Sequence, residues 1–229
     1  MSLWFFILYT AAYLFILVWA LRRAVQTRRA GAAFLALLSF GLLYDNLILS
    51  IGNLVGEGDL LHALSLPRFV LHQLSLPWVM VSAFEILQSA GHTWAQKRSA
   101  QIGVWTGAFI VMVLGILTRL VPMHLEPAFV DGVLRYAAEG VKGPPIVSIV
   151  GVGFSGVMGF LLWRKTGWVW LWPVVVLVFI VEGIPVDFLR RVLGSGVEVV
   201  YMSVLLLANQ KFVTHALRSA SAMARASGS

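Results

Sequence analysis

The chain has no cysteine. That excludes disulfides, thiolate nucleophiles and cysteine-bound metal, and leaves the compartment to be read from other features. Charge is scarce too: Asp, Glu, Lys and Arg make up 12% of 229 residues, against roughly 25% in a soluble domain. So few charges cannot cover a globule of this size with solvated surface. Carboxylates are the scarcer sign, 10 against 17 Lys and Arg. The resulting net charge of +7 does not indicate nucleic acid, because the basic residues cluster in short segments between apolar runs, which is a topology signal.

What fills the chain instead is apolar: 59% hydrophobic residues and a mean hydropathy of +0.88. The apolar runs approach the roughly 20 residues needed to cross a bilayer. The expected fold is all-α, a polytopic membrane bundle of seven transmembrane helices over residues 1–215, with a disordered cytoplasmic tail over 216–229 that is rich in Ser and Ala.

The runs fall in order. Leu3 to Leu21 is followed rather than preceded by arginines (Arg22, Arg23, Arg28, Arg29), which reverses a cleavable signal peptide. It reads as a retained first span with its N-terminus outside. Ala30 to Val55 is the second span, interrupted by Tyr44, Asp45, Asn46 and Asn53. The third runs from Leu66 to Ala90, with Ser65 as N-cap, Pro67 in the first turn, and Pro77 as a kink three turns in. Ala100 to Val121, Ile146 to Trp163, Trp168 to Phe188 and Val197 to Thr214 complete the set. The longest loop, Met123 to Pro145, carries mixed charge, and Ala128 to Glu139 reads as a short surface helix.

With the N-terminus outside and the C-terminus cytoplasmic, eleven of the seventeen basic residues lie inside; the opposite orientation leaves six there. Trp163, Trp168, Trp170 and Trp172 crowd one inner boundary as an aromatic belt should. The expected location is therefore an integral, multi-pass position in the cell membrane, among membrane lipids and without a nucleic-acid partner.

Ionisable side chains inside spans are expensive and tend to face a bundle interior or a wet cavity. Placed by depth, Asp45, Asn46, Asn53, Arg68, His72, Arg119, Glu182, Asp187, Glu198 and Tyr201 all fall in the outer half of five spans. Asn46 and Asn53 are seven apart and share a face; Glu198, Tyr201, Leu205 and Asn209 mark one stripe of the last span. If these stripes converge, they line an outward-facing polar pocket. Asp45 and Glu182 would then be the acid/base pair and His72 a proton shuttle. Arg68 or Arg119 would anchor an anionic head, with Asn46, Asn53, Asp187, Glu198 and Tyr201 lining the site. The same residues read equally well as structural salt bridges and interhelical hydrogen bonds.

The doubled segment Leu61 to Met80, LHALSLPRFV then LHQLSLPWVM, repeats His62, Ser65 and Pro67 as His72, Ser75 and Pro77. Ten residues advance a helix by about 280° and 15 Å, so the copies face different ways and only His72 enters the pocket. His72 can be a metal ligand, a general base or a satisfied core histidine; without an HxxxH pair no metal is expected, and no motif names a cofactor. Glu85, in the inner half of span three, pairs with Lys97, Lys211 or a backbone group. Gly151, Gly153 and Gly156 match GxGxxG, yet no strand precedes them; Gly151, Ser155 and Gly159, like Gly52/Gly56 and Gly103/Gly107, read as close-packing faces.

Tyr44-Asp45-Asn46 resembles the aromatic-Asp-Asn triplet of membrane lycopene cyclases, whose proline and paired-glutamate motif has only Leu66-Pro67-Arg68 opposite it here, without the acids. Seven spans with outer His and Asp also resemble alkaline ceramidases, again without HxxxH. Three residues and a span count do not assign a family. The function expected is acid/base chemistry on a lipid or isoprenoid-like hydrophobic molecule; the alternative is a non-enzymatic carrier, receptor or assembly factor that uses the cluster for ligand binding or packing.

Overall fold

The computed structural model describes residues 2–226, without the side chains of residues 2, 187, 188, 220, 224 and 225. The chain is mostly helical, and six of its helices are long and apolar enough to cross a membrane. Helices α1 (Ser2–Thr27) and α2 (Ala30–Val55) form an antiparallel pair. The next span is broken in the middle, as α3 (Asp59–Ser75), a tight 3₁₀ turn over Leu76–Trp78, and α4 (Val79–Ser89). Pro77 sits inside that turn, where its missing N–H and ring exclude a continuous α-helix. Helix α5 (Arg98–Gly115) ends in a π turn over Ile116–Leu120. Helices α6 (Ile146–Thr166), α7 (Leu171–Glu182) and α8 (Asp187–Ala208) follow, and a second π turn over Asn209–Val213 leads into α9 (Thr214–Ala226). α8 packs back on α1, which closes the bundle.

Four expectations change. The segment expected to be a surface helix is a β-hairpin, β1 (His124–Val130) antiparallel to β2 (Val133–Glu139), an appendage to what remains an all-α helical bundle. Asp131 (φ 56°) and Gly132 (φ 83°) both sit at positive φ, the requirement of a two-residue type I′ hairpin turn. Secondly, α3 begins two turns before Pro67, which lies inside it. Asp59 favours that early start at the positive end of the helix dipole, and Leu61 in the added turns is buried against Ile48 and Tyr136. Thirdly, the chain continues helically as α9 where a disordered tail was expected. Fourthly, α7 has only 12 residues, about 18 Å of helix, and falls short of a roughly 30 Å hydrocarbon core. Gly183 and Pro185 end it, Pro185 because it disfavours helical backbone in the residue before it.

Helix α2 shows how polar groups are used in the apolar bundle. Its N-cap, Arg29, makes no side-chain capping bond. The N–H of Gly31, which has no partner within its own helix, is instead satisfied from α4, by Glu85 Oε2 at 2.9 Å, while Ser82 Oγ donates to the Gly31 carbonyl at 2.8 Å. A Cβ on Gly31 would lie 2.6 Å from Glu85 Oε2 and 2.9 Å from Ser82 Cα, so glycine allows the two helices to touch. Of the partners expected for Glu85, Lys97, Lys211 or a backbone group, it takes the backbone group and caps a helix. Glu85→Ala is expected to cost about 1–2 kcal/mol, the value of a lost N-cap, and Glu85→Gln less, since an amide oxygen still accepts. Unfolding titrations of the two variants in micelles give the comparison.

The small-residue faces divide. Gly156 and Gly159 on α6 sit against Val175 and Leu171 of α7, and Gly151 against Leu76 and Val79. An added Cβ on Gly103 or Gly56 would meet nothing within 4 Å. Gly56 ends α2 at φ 79°, a conformation that glycine adopts without strain.

Candidate functional site

A cavity of about 630 Å³ opens between α2, α3, α6, α7 and α8, within the usual size range of small-molecule sites. His72 from α3, Glu182 from the end of α7, and Arg190, Glu198 and Tyr201 from α8 all line it. The rest of its wall is largely apolar: Leu38, Leu42, Leu76, Ile149, Val152, Val178, Phe179 and Met202.

Each polar group has a local reason for its place. Glu198 and Tyr201 are three residues apart on α8 and so share a face, and Tyr201, Leu205 and Asn209 continue that stripe into the buried interior. Ser155 on α6 receives Tyr201: their oxygens are 2.7 Å apart. Since Ser155 Oγ donates to the Val152 carbonyl, the Tyr201 hydroxyl donates to Ser155, and its own lone pairs remain available as acceptors. Glu182 stands where α7 stops and Gly183 lines the same cavity. Non-helical backbone at membrane depth is tolerated where it borders protein or a cavity, so the short α7 and the cavity are one feature. His72 reaches the wall from the last turn of α3, just before the Pro77 turn redirects the span. His62, its counterpart in the repeat, packs edge-on against Tyr136, ring centroids 5.1 Å apart.

The other expected site residues lie elsewhere. Asp45 is bound by Arg68, Nε to Oδ1 at 2.8 Å. The Arg68 guanidinium also donates to the Tyr136 carbonyl at 3.5 Å, which ties α2 and α3 to the hairpin. Asn53 clamps the hairpin turn with both ends of its amide: Nδ2 donates to the Gly132 carbonyl at 2.8 Å and Oδ1 accepts the Leu134 N–H at 2.7 Å. Asn46 donates to the Leu42 carbonyl within its own helix. Arg119, on the π turn, donates to the Gly143 carbonyl at 2.6 Å and is half-buried. The side chain of Asp187 lies outside the described residues.

Of these, Asn53 and the Asp45–Arg68 pair hold the hairpin over α2 and α3. Val133 and Tyr136 of β2 are buried on its inner face, and Arg191 of α8 pairs with Asp131 at its tip, 2.8 Å apart. Arg135 on β2 sits within the same group. Burial, followed by the like charges of Arg68 and Arg191, holds its guanidinium below the usual arginine range. Asp45 and Arg68, expected to face a ligand, are committed to each other and to the hairpin instead. Conversely, Arg190 lines the cavity and Ser155 stands behind its wall, against Tyr201, and depth gave no reason to single them out; the hydroxyl at the centre of the Gly151/Ser155/Gly159 face was the available signal for Ser155. No protein-family model matches the chain, and a search of curated proteins finds no relative.

Proposed function

We propose that this integral membrane protein takes an amphiphilic molecule of lipid or isoprenoid type into the cavity and carries out acid/base chemistry on it. The observation that carries the reading is the convergence of two carboxyl groups, Glu182 and Glu198, with His72, Tyr201 and Arg190 on one largely apolar cavity. An apolar wall suits a hydrocarbon body, and the polar groups gather where a reacting head would sit. Glu182 and Glu198 form the acid/base pair, His72 relays the proton, and Tyr201 with Arg190 orients the head. Asp45 leaves the catalytic group, because Arg68 already occupies its carboxylate. Seven spans, an outer N-terminus and residence in the cell membrane complete the proposed topology, with α7 entering as a partial span.

General acid/base groups contribute about 10²–10⁴-fold to rate. Glu198→Gln and His72→Gln should therefore lower conversion at least 100-fold at unchanged protein level, read as a change in the lipid profile of expressing membranes by mass spectrometry. An unchanged profile in both variants removes the enzymatic reading. If the purified variants also lose a co-purifying amphiphile, the cavity serves a carrier or receptor.

A further inference from the structure

At the opposite end of the bundle from the hairpin, a second cavity of about 720 Å³ lies between the last turn of α1, the Asn209–Val213 π turn and α9. Arg23, Lys211 and Arg218 line it, with His215 beside them, and among the described residues no carboxylate does. Glu85, the acid on this end, is committed to the Gly31 N–H. Three permanent positive charges thus share one concavity without a counter-charge in its wall.

The site is built rather than incidental. Arg23 is buried and held by neutral acceptors: Asn209 Oδ1 at 3.2 Å, Thr214 Oγ1 at 2.7 Å and Gln26 Oε1 at 2.9 Å. Its charge is therefore oriented but not neutralised. Thr214, Ser221 and Gln210 add hydroxyl and amide groups to the wall. The level also fits a membrane boundary. The helical run Leu189–Met223 has 35 residues, about 52 Å, so the part beyond the π turn projects past a roughly 30 Å hydrocarbon core.

We propose that this pocket binds a phosphate-bearing anion, the headgroup of an anionic phospholipid or free phosphate. Basic pockets between helix ends at the polar boundary recognise such groups through charge and hydrogen bonds. The site is separate from the cavity that carries the proposed chemistry, and stands or falls independently of it.

The test uses the full-length purified protein in detergent, with short-chain phosphatidylglycerol, short-chain phosphatidylcholine and inorganic phosphate as probes, read by native mass spectrometry and thermal unfolding. Phosphatidylglycerol or phosphate is expected to bind well above phosphatidylcholine. Lys211→Gln with Arg218→Gln should weaken that binding roughly 30-fold, about fivefold per cation removed. Both side chains are exposed and the Arg23 bonds are untouched, so unfolding without anion should match wild type. Phosphatidylglycerol retained against excess inorganic phosphate identifies a lipid headgroup; displacement by phosphate identifies the free anion. Equal binding of phosphatidylcholine and both anions, or an anion affinity unchanged in the double variant, overturns the proposal.

Discussion

Asp45→Ala is expected to destabilise the protein by about 2–3 kcal/mol, because it leaves the Arg68 guanidinium buried without its carboxylate. Removing one partner of a buried pair costs about 3–5 kcal/mol. The lower figure applies because Asp45 is 35% exposed while Arg68 is 7%. Arg68 keeps a 3.5 Å bond to the Tyr136 carbonyl, but a neutral carbonyl does not replace an anion. The test of this account is the double variant: Asp45→Ala with Arg68→Met removes charge and counter-charge together and should recover to within about 1 kcal/mol of wild type. Denaturant titration of the four proteins in micelles gives the coupling energy directly. Additive losses would mean that the pair does not matter to stability and would reopen Asp45 as a group held for a ligand. A second readout separates the roles: a molecule bound among His72, Glu182 and Glu198 should stay bound in folded Asp45→Ala protein.

Membrane class was legible because it depends on composition, to which every residue contributes. The break at Pro77 was legible because a proline in a span acts locally, whatever surrounds it. The hairpin was missed although its signal was present: Asp131-Gly132 flanked by Phe129, Val130, Val133 and Leu134 is a strong type I′ pattern. Ala, Leu and Glu in the same stretch favour helix, and the decisive clamp comes from Asn53, some eighty residues away. The candidate site was half legible for a related reason. Hydropathy fixes how deep Asp45, Arg68, His72 and Glu198 lie, but not which way each helix is turned. Asp45 faces α3 and the hairpin, Glu198 faces the cavity, and only packing distinguishes them. The short α7 shows the same limit: Gly183 and Pro185 are visible as breakers, but a span of 21 residues drawn through them has acceptable hydropathy.

Gly52→Ala should have the largest effect of any alanine substitution at the hairpin contact, about 3 kcal/mol, near the upper limit for overpacking. An added Cβ there collides with the Leu134 carbonyl oxygen, and that atom belongs to a strand backbone that cannot rotate away as a side chain can. The hairpin must therefore lift. Lifting strains both Asn53 hydrogen bonds, at about 1 kcal/mol each, and exposes Val133 and Tyr136, which are buried at the contact. Because the helices beneath retain their own packing, opening should be local rather than global. Cleavage at Arg135 by a trypsin-like protease reports it, since this residue is only partly accessible while the hairpin is docked. A 3 kcal/mol shift in the opening equilibrium raises the cleavage rate roughly 150-fold where opening is fast. Gly103→Ala is the matched control: it is also helical, and its added Cβ meets nothing within 4 Å. It should be neutral or gain up to about 1 kcal/mol from helix propensity. Cleavage of Gly52→Ala at the wild-type rate would show that the hairpin is held from the Arg191–Asp131 side, with the α2 contact contributing little.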